Sequence, residues 1–280
     1  MSYKTILVCL STEKAAEQIL PIACNIARQF GAHLIGIHTL PSIMVYPGIA
    51  MHLSAPQFRE FNDDMKKQNA NIEAVFEKHV ANETFVSEWR SLPARDRNAS
   101  MQLTRSAFRS DLVIVAKADS TSERYDQSGL QEDLIMNSGR PILVIPEDYG
   151  DKSIGNEVLL AWNATRQSSS AAHQALPFLT AAKQVNILTV TQPHRASAAL
   201  DTEGHELSAS LAHHGMKPVV VHVEQTKNSI GEEIDHQAKI NGSDLIVMGA
   251  YGHSRLHDLF FGDATRHMLN EATQPVLFSG

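Results

Sequence analysis

The sequence of 280 residues lacks several features that define other classes of protein. No apolar run approaches the ~20 residues that a membrane-spanning helix needs, so we expect no membrane insertion. The apolar stretch TILVCL near the N-terminus is too short for a signal peptide and runs into polar residues typical of a strand end. Basic residues are in deficit, with 24 Lys and Arg against 31 Asp and Glu, and the net charge of -7 disfavours nucleic acid as a partner.

Cysteine is also scarce. Cys9 and Cys24 are the two in the chain, and their spacing fits neither a metal site nor a redox motif. Both fall on apolar faces, so we interpret them as small buried residues of a protein in the reducing cytoplasm. Hydrophobic residues at 43% and charged residues at 20% are typical of a globular protein.

What the sequence does contain is an internal repeat. Three short Ile/Val/Leu runs in the first half recur in the same order in the second half. The matched segments are TILVCLSTE from Thr5 with EVLLAWNAT from Glu157, SDLVIVAKA from Ser110 with SDLIVMGAY from Ser243, and RPILVIP from Arg140 with QPVLFSG from Gln274. We therefore expect two domains, at 1–147 and 156–280, joined by a polar linker at 147–156.

Each half predicts an α/β domain. The apolar runs are nearly continuous, as in parallel strands that are buried on both faces of a sheet. Helical patterns separate them: one covers 14–30 and stops at Gly31, and its counterpart covers 168–182 with Ser168 as a plausible N-cap. This alternation predicts five mainly parallel strands in each half, with helices on both faces of the sheet.

The first half is longer because of an insertion at 41–70. This segment begins with apolar residues and continues as a charged helix that reaches about Val80. An apolar insertion could be a lid or a surface for a partner, and it could also simply pack over its own domain.

The clearest motif is a set of three glycines in the second half. Gly249 and Gly252 follow the fourth predicted strand, and Gly262 comes after nine further residues, where we expect the next helix to open. Ligands of open parallel sheets bind where strands end. Glycine main-chain N–H groups and a helix N-terminus both favour phosphate there.

With this spacing, strand and helix context, the chain resembles the universal stress protein family, and the resemblance covers both halves. It implies two tandem Rossmann-like domains that pair through their last strands, PILVIP and PVLFSG, and it is compatible with a homodimer. It also implies a non-enzymatic stress-response protein that binds ATP or AMP in its second half, with no obligatory cofactor and no settled need for Mg²⁺. The implied contact residues are Ala161, Trp162, Asn163, Val190, Gly249, Gly252, His253, Gly262, Asp263, Ala264 and Thr265.

Two residues depart from the family pattern. Asn163 stands where the family commonly has a ribose-binding Asp, and Asp263 stands where it has Ser or Thr after the third glycine. A carboxylate ~4 Å from a phosphate is repelled by about 1 kcal/mol in water and about 4 kcal/mol at an effective dielectric constant of 20. Asp263 would also suit a helix N-cap, where its carboxylate would occupy the phosphate position. The alternative function is therefore a nucleotide-free scaffold that binds a partner or an apolar ligand.

The first half lacks the glycine motif, and Ser11 stands where the ribose-binding Asp would be, so we expect no nucleotide there. A metal site at His253 and His257, with Asp258 or His267, has no supporting framework, and we predict no metal. We also predict no catalytic residues, although Asp263 could in principle orient a water for slow hydrolysis.

Overall fold

The computed structural model describes residues 2–40, 55–93, 99–118, 129–192, 198–250 and 259–280. Its centre is one sheet of ten strands with helices on both faces. The strands are β1 Thr5–Cys9, β2 His33–Leu40, β3 Ser87–Pro93, β4 Leu112–Ala116, β5 Ile142–Ile145, β6 Glu157–Ala161, β7 Gln184–Thr191, β8 Val219–Glu224, β9 Leu245–Gly249 and β10 Val276–Ser279.

Helices connect the strands. In the described residues they are α1 Glu13–Phe30, α2 Ala55–Val80, α3 Ala99–Ala107, α4 Leu130–Asn137, α5 Arg166–Gln174, α6 Leu176–Ala181, α7 Ala198–Ala212, α8 Ile230–Ile240 and α9 Leu259–Glu271. None of these helices has the length and apolar character that a bilayer crossing requires. The α/β class predicted from the alternating pattern is confirmed.

The apolar strand runs explain the layers. In β1, Ile6 and Val8 face one hydrophobic cluster while Leu7 and Cys9 face the other, and all four are buried. Successive side chains of a strand point to opposite faces, so a strand buried on both must be apolar throughout.

The first crossover helix shows how local sequence sets the element ends. Thr12 caps α1 by accepting a hydrogen bond from the Ala15 main-chain N–H at 3.1 Å. Gly31 ends the helix in the left-handed conformation, with φ of 58°, which glycine adopts without steric cost. The predicted stop at Gly31 is confirmed.

The strand order places two matching halves side by side. It runs β3-β2-β1-β4-β5-β10-β9-β6-β7-β8, and β5 and β10 pair antiparallel in the middle, with Val276 opposite Val144 and Phe278 opposite Ile142. Every other neighbouring pair is parallel. The last strands of the two halves therefore join them into one continuous sheet.

The repeated Ser-Asp-Leu segment has the same task in both halves. Asp111 accepts hydrogen bonds from the main-chain N–H groups of Lys4 and Thr5, and Asp244 accepts them from Gly155, Asn156 and Glu157. Each carboxylate thus holds the chain where the first strand of its half begins.

The segment predicted as a polar linker is packed into the structure. Tyr149 and Ile154 are buried in the core cluster, and the Tyr149 hydroxyl donates to the main-chain carbonyls of Ser153 and Asp244. The polar residues and glycines of this segment predicted a linker, but the side chains of Tyr149 and Ile154 anchor it in the core.

Two helix starts differ from the sequence expectation. Ser168 is not the N-cap of α5: the cap is Thr165, and Ser168 completes a reciprocal capping box with it. Gly262 does not open α9, which begins at Leu259, so Asp263 lies inside the helix and is not its N-cap. The apolar part of the insertion, 41–54, lies outside the described residues, while the charged helix that ends at Val80 is present as α2.

Candidate functional site

The strand order of the second half reverses between β9 and β6. From β6 the chain moves outward to β7 and β8, then crosses back to β9 and β10 on the other side. The helices that follow β6 and β9 pack on opposite faces of the sheet. In open α/β sheets a ligand crevice is expected at the carboxyl ends of the two strands at such a reversal. Ala161 ends β6 and Gly249 ends β9 at this edge.

The turn after β6 is rigidly held. The main-chain N–H of Trp162 donates to the carbonyl of Leu188 at 2.8 Å, which extends the pairing with β7 by one residue. Ala164 then adopts a positive φ of 54°, a conformation that non-glycine residues seldom take. The Thr165 hydroxyl donates to the Asn163 side-chain oxygen at 2.8 Å.

This geometry orients Asn163. Because its oxygen is engaged by Thr165, its amide nitrogen remains as the donor group, and it makes no hydrogen bond within the described part of the chain. The side chain is half-buried at the crevice, where a donor could meet a hydroxyl oxygen of a ligand. The Thr-x-x-Ser pattern at 165–168 is a sequence signal for the Thr165 cap, although Ser168 was predicted as the N-cap.

Trp162 and Val190 are apolar residues near this edge of the sheet, and they lie on opposite faces of it. Both are half-buried and pack against the core. The indole nitrogen of Trp162 is buried and has no hydrogen-bond partner among the described residues.

Gly249 is required by the fold itself. A Cβ at this position would lie 2.5 Å from the main-chain carbon of Gln167 and 2.5 Å from the nitrogen of Ser168. The close backbone approach that its glycine predicted therefore exists, but its partner is α5. The serine hydroxyls of Ser170 and Ser279, 2.7 Å apart, hold the same helix against the end of β10.

The first turns of α9 present a different environment. Among the described residues a Cβ at Gly262 would meet nothing within 4 Å, and the side chain of Asp263 is exposed. Asp263 makes no hydrogen bond or ion pair within the described part of the chain. Ala264 and Thr265 are buried, at 3% and 1% exposure, so a ligand could reach the Thr265 hydroxyl only after a local rearrangement.

Four residues named in the sequence analysis lie outside the described residues. These are Gly252 and His253 of the nucleotide motif, and His257 and Asp258 of the candidate metal site. In the described ranges no group of three or more His, Cys, Asp or Glu side chains is arranged to hold a metal ion.

The equivalent edge of the first half is chemically different. Cys9 stands where the second half has Ala161, and burial raises the pKa of its thiol to about 12, so the thiol stays protonated and unreactive at neutral pH. Ser11 is the residue of the first half that corresponds to Asn163. The Thr12 cap follows Ser11 directly, because the first half lacks an equivalent of Ala164.

A tandem Rossmann-like α/β protein is the class that this fold defines. Residues 156–279 match the sequence profile of the universal stress protein family. Universal stress protein Slr1230 of Synechocystis sp. (strain ATCC 27184 / PCC 6803 / Kazusa) is 23% identical over 295 residues, which cover 98% of this chain and 99% of that protein.

Solved structures show the same fold. A universal stress protein from Archaeoglobus fulgidus DSM 4304 aligns with a TM-score of 0.72 and 11% identity, covering 98% of this chain and 97% of that one. Protein PA1789 from Pseudomonas aeruginosa PAO1, described as functionally unknown, aligns with a TM-score of 0.57 and 12% identity over 99% of this chain and 92% of its own. At these identities the likeness concerns the fold alone.

Proposed function

We propose that the second half binds an adenine nucleotide, ATP or AMP, in the crevice between β6 and β9, and that the chain acts as a non-catalytic stress-response protein of the cytoplasm. The observation that carries this proposal is the convergence of three features on one strand-order reversal. These are the amide donor of Asn163, the end of β9 at Gly249, and the open space beside Gly262 in the first turn of α9.

The ligand would be held mainly by main-chain groups. The first N–H groups of α9 have no partner within the helix, and the helix dipole places partial positive charge there. Gly262 leaves open space beside the first turn of α9, since a Cβ there would meet none of the described residues within 4 Å. Asn163 would contact the ribose. Ala161 and Val190 would line the base end of the pocket from one face of the sheet, and Trp162 would border it from the other. Gly252 and His253 complete the proposed contact set, and the buried Ala264 and Thr265 would join it after a local rearrangement of α9.

Asp263 would set the preference among nucleotides. Its carboxylate is exposed on the turn that would face the phosphates, and repulsion grows with the number of phosphate charges nearby. The proposed order of affinity is therefore adenosine and AMP above ATP.

One observation favours the alternative function, a nucleotide-free scaffold. The main chain of α5 already fills the space beside Gly249, so one of the glycines of the motif is used by the fold and leaves no room for phosphate on that side. In this alternative the chain acts through a partner or an apolar ligand, for which the insertion at 41–70 is the proposed surface.

Calorimetric titration of ATP, AMP and adenosine separates the two functions. It is carried out on the native chain, on Asp263→Ser and on the isosteric Asp263→Asn, without and with Mg²⁺. Binding of AMP by the native chain, with ATP affinity raised by both substitutions, supports the proposed site. If the native chain and both variants bind none of the three, the nucleotide function is wrong.

The tryptophans provide an independent readout. Trp162 lies at the proposed pocket, while Trp89 is far along the sheet in β3, where it packs on Phe76. In a Trp89→Phe background, nucleotide binding should change the fluorescence of Trp162. Apparent binding that leaves Trp162 unaffected would place the ligand elsewhere.

A further inference from the structure

Three exposed apolar side chains lie on the outer helices of the first half. Met101 lies in α3 and is 49% exposed, and Phe108, the residue after α3, is 51% exposed. Met136 lies in α4 and is 60% exposed. We call these three residues the α3–α4 patch. Large apolar side chains that cluster at the surface mark interaction sites more often than single ones do.

Hydrogen bonds at both ends hold the two helices together. At one end the Ser100 hydroxyl donates to the carboxylate of Asp133, and at the other the guanidinium of Arg140 donates to the carbonyl of Phe108 at 2.8 Å. Met136 lies one turn beyond Asp133 on α4, between these two connections. The patch therefore occupies a preformed surface and not a frayed end.

The second half contains a natural comparison. Helix α8 corresponds to α3 when buried Ile234 is matched with Leu103 and buried Ala238 with Ala107, and α9 corresponds to α4 when Met268 is matched with Leu134. The contact between Gly231 and His267 then falls where Ser100 meets Asp133, which supports the match.

At the patch positions the second half is polar. The residues that correspond to Met101, Phe108 and Met136 are Glu232, Lys239 and Asn270. The fold therefore accepts charged and polar side chains at these positions, and packing does not require apolar ones. Core packing among the described residues does not account for three apolar residues on this face.

Charge indicates the kind of occupant. Arg105 lies between Met101 and Phe108 on the same face of α3, since it is four residues from one and three from the other, and Arg109 follows directly. Both are exposed and form no ion pair within the described part of the chain. The acids of α4 are Glu132, which is exposed, and Asp133, which is engaged by Ser100.

We propose that the α3–α4 patch binds an amphipathic helix of a partner protein, with an apolar face toward Met101, Phe108 and Met136 and acidic residues toward Arg105 and Arg109. Methionine suits such a surface because its unbranched side chain adapts to different apolar partners. Helices in grooves are recognised through apolar residues at i, i+3, i+4 and i+7. This function is independent of nucleotide binding in the second half.

Two synthetic peptides test the proposal on the full chain. Both are about 18 residues long with leucines at helical spacing; one carries glutamates on its polar face and the other lysines. Fluorescence anisotropy should show saturable binding of the acidic peptide and at least roughly tenfold weaker binding of the basic one. Equal binding of both peptides, or of neither, overturns the proposal.

The repeat supplies the variants. Phe108→Lys and Met136→Asn introduce the residues that the second half carries, and each should weaken the acidic peptide by roughly tenfold or more. Phe108→Lys is especially informative, because it adds a positive charge and could weaken an acidic peptide only through the lost apolar contact. Arg105→Gln with Arg109→Gln should weaken binding and reduce its dependence on salt.

Ile240→Lys is the matched control. Ile240 is 62% exposed on α8, outside the patch, and its substitution should leave peptide binding unchanged. A loss as large as that of Phe108→Lys overturns the proposal. Sedimentation of the native chain tests for a second copy as the occupant: a dimer that Phe108→Lys dissociates would replace the proposed partner.

Discussion

The phenol hydroxyl of Tyr3 donates a hydrogen bond of 2.7 Å to the main-chain carbonyl of Gln174, which lies in the other half of the chain. The Tyr3 ring also meets Phe178 of the second half, with ring centres 5.6 Å apart, and Phe30 meets the same ring at 5.2 Å. The halves are thus joined by a shared aromatic cluster as well as by the pairing of β5 with β10. We expect them to unfold together.

Tyr3→Phe should remove this hydrogen bond while keeping the ring. At neutral pH the free energy of unfolding should fall by about 1 kcal/mol, since a buried carbonyl loses its donor. Burial, and then the charge of Asp111, raise the pKa of Tyr3 above its ordinary value. The unfolded chain therefore releases this proton near pH 10 while the folded chain retains it, and the contribution of Tyr3 is present below that pH and lost as pH rises.

Urea denaturation at neutral pH and at about pH 10.5 measures the effect. The native chain should lose more stability over this interval than Tyr3→Phe. Tyr149→Phe is the comparison variant, because Tyr149 is a second tyrosine with a raised pKa. Burial, and then the charge of Asp244, raise the pKa of Tyr149 to about 12. The same alkaline loss in the native chain and in Tyr3→Phe would contradict the prediction.

Asp244 should contribute more to the free energy of unfolding than Asp111, its equivalent in the first half. Asp244 accepts three main-chain N–H groups at 2.9 to 3.0 Å and the Asn156 side chain at 3.3 Å, whereas Asp111 accepts two main-chain groups at 2.8 and 2.9 Å. Hydrogen bonds to a charged group contribute about 1.5 to 3 kcal/mol each to stability. Asp244→Ala should therefore lower the free energy of unfolding more than Asp111→Ala, by about 1 kcal/mol or more.

Chemical denaturation of the two variants decides this. The matched substitutions remove the same side chain from equivalent positions of the repeat, so differences in helix propensity and burial largely cancel. A larger loss for Asp111→Ala would mean that the first strand of the first half depends more on its anchor.

The sequence was sufficient for the strands and for their grouping into two repeats. A strand buried on both faces must be apolar at successive positions, so runs such as Ile6 to Cys9 can be recognised without tertiary information. The end of α1 at Gly31 could be predicted equally well, because a left-handed residue at the end of a helix is most often glycine.

Helix starts were harder to predict. Thr165 and Ser168 both suit an N-cap, and the choice depends on the turn at Ala164, which is set by the pairing of Trp162 with Leu188. At α9 the glycine motif suggested a start at Gly262, although the preceding apolar residues continue the helix back to Leu259. Motif spacing alone did not show that Gly249 serves α5, because that contact joins residues far apart in sequence.

Glu233 gives a prediction for acid pH. It is 1% exposed, and its carboxylate accepts hydrogen bonds from the N–H and hydroxyl of Thr226, the N–H of Lys227 and the amide of Gln237. Burial opposes its ionisation, but these hydrogen bonds outweigh burial and lower the pKa of Glu233. Glu233→Gln should lower the free energy of unfolding by about 1 to 3 kcal/mol at neutral pH.

The sign of the pH effect follows from the lowered pKa. The stabilisation by the Glu233 carboxylate is fully present above the unfolded pKa of about 4.3 and is lost as pH falls through the folded value. Stability curves from pH 7 to about 3 should therefore converge for the native chain and Glu233→Gln at the acid end. Glu232→Gln, on the neighbouring residue, should show little change, and a constant gap between the native chain and Glu233→Gln would count against this account.

Gly249 and Gly262 distinguish the requirements of the fold from those of a ligand. Gly249→Ala places a methyl group 2.5 Å from the main chain of α5, so β9 and α5 must move apart, at a cost of about 1 to 3 kcal/mol. Gly262→Ala meets nothing within 4 Å and lies inside a helix, where alanine should raise stability by about 0.5 to 1 kcal/mol.

Nucleotide binding should respond to Gly262→Ala in the opposite direction to stability. If the phosphate approaches the main chain of α9, the added methyl group obstructs it, and the affinity for AMP should fall severalfold while the melting temperature rises. Calorimetry and thermal unfolding of the same preparations measure both quantities, with Gly249→Ala as the variant that should lose stability. An AMP affinity that is unchanged in Gly262→Ala would remove α9 from the site, because no destabilisation of the fold would then obscure the result.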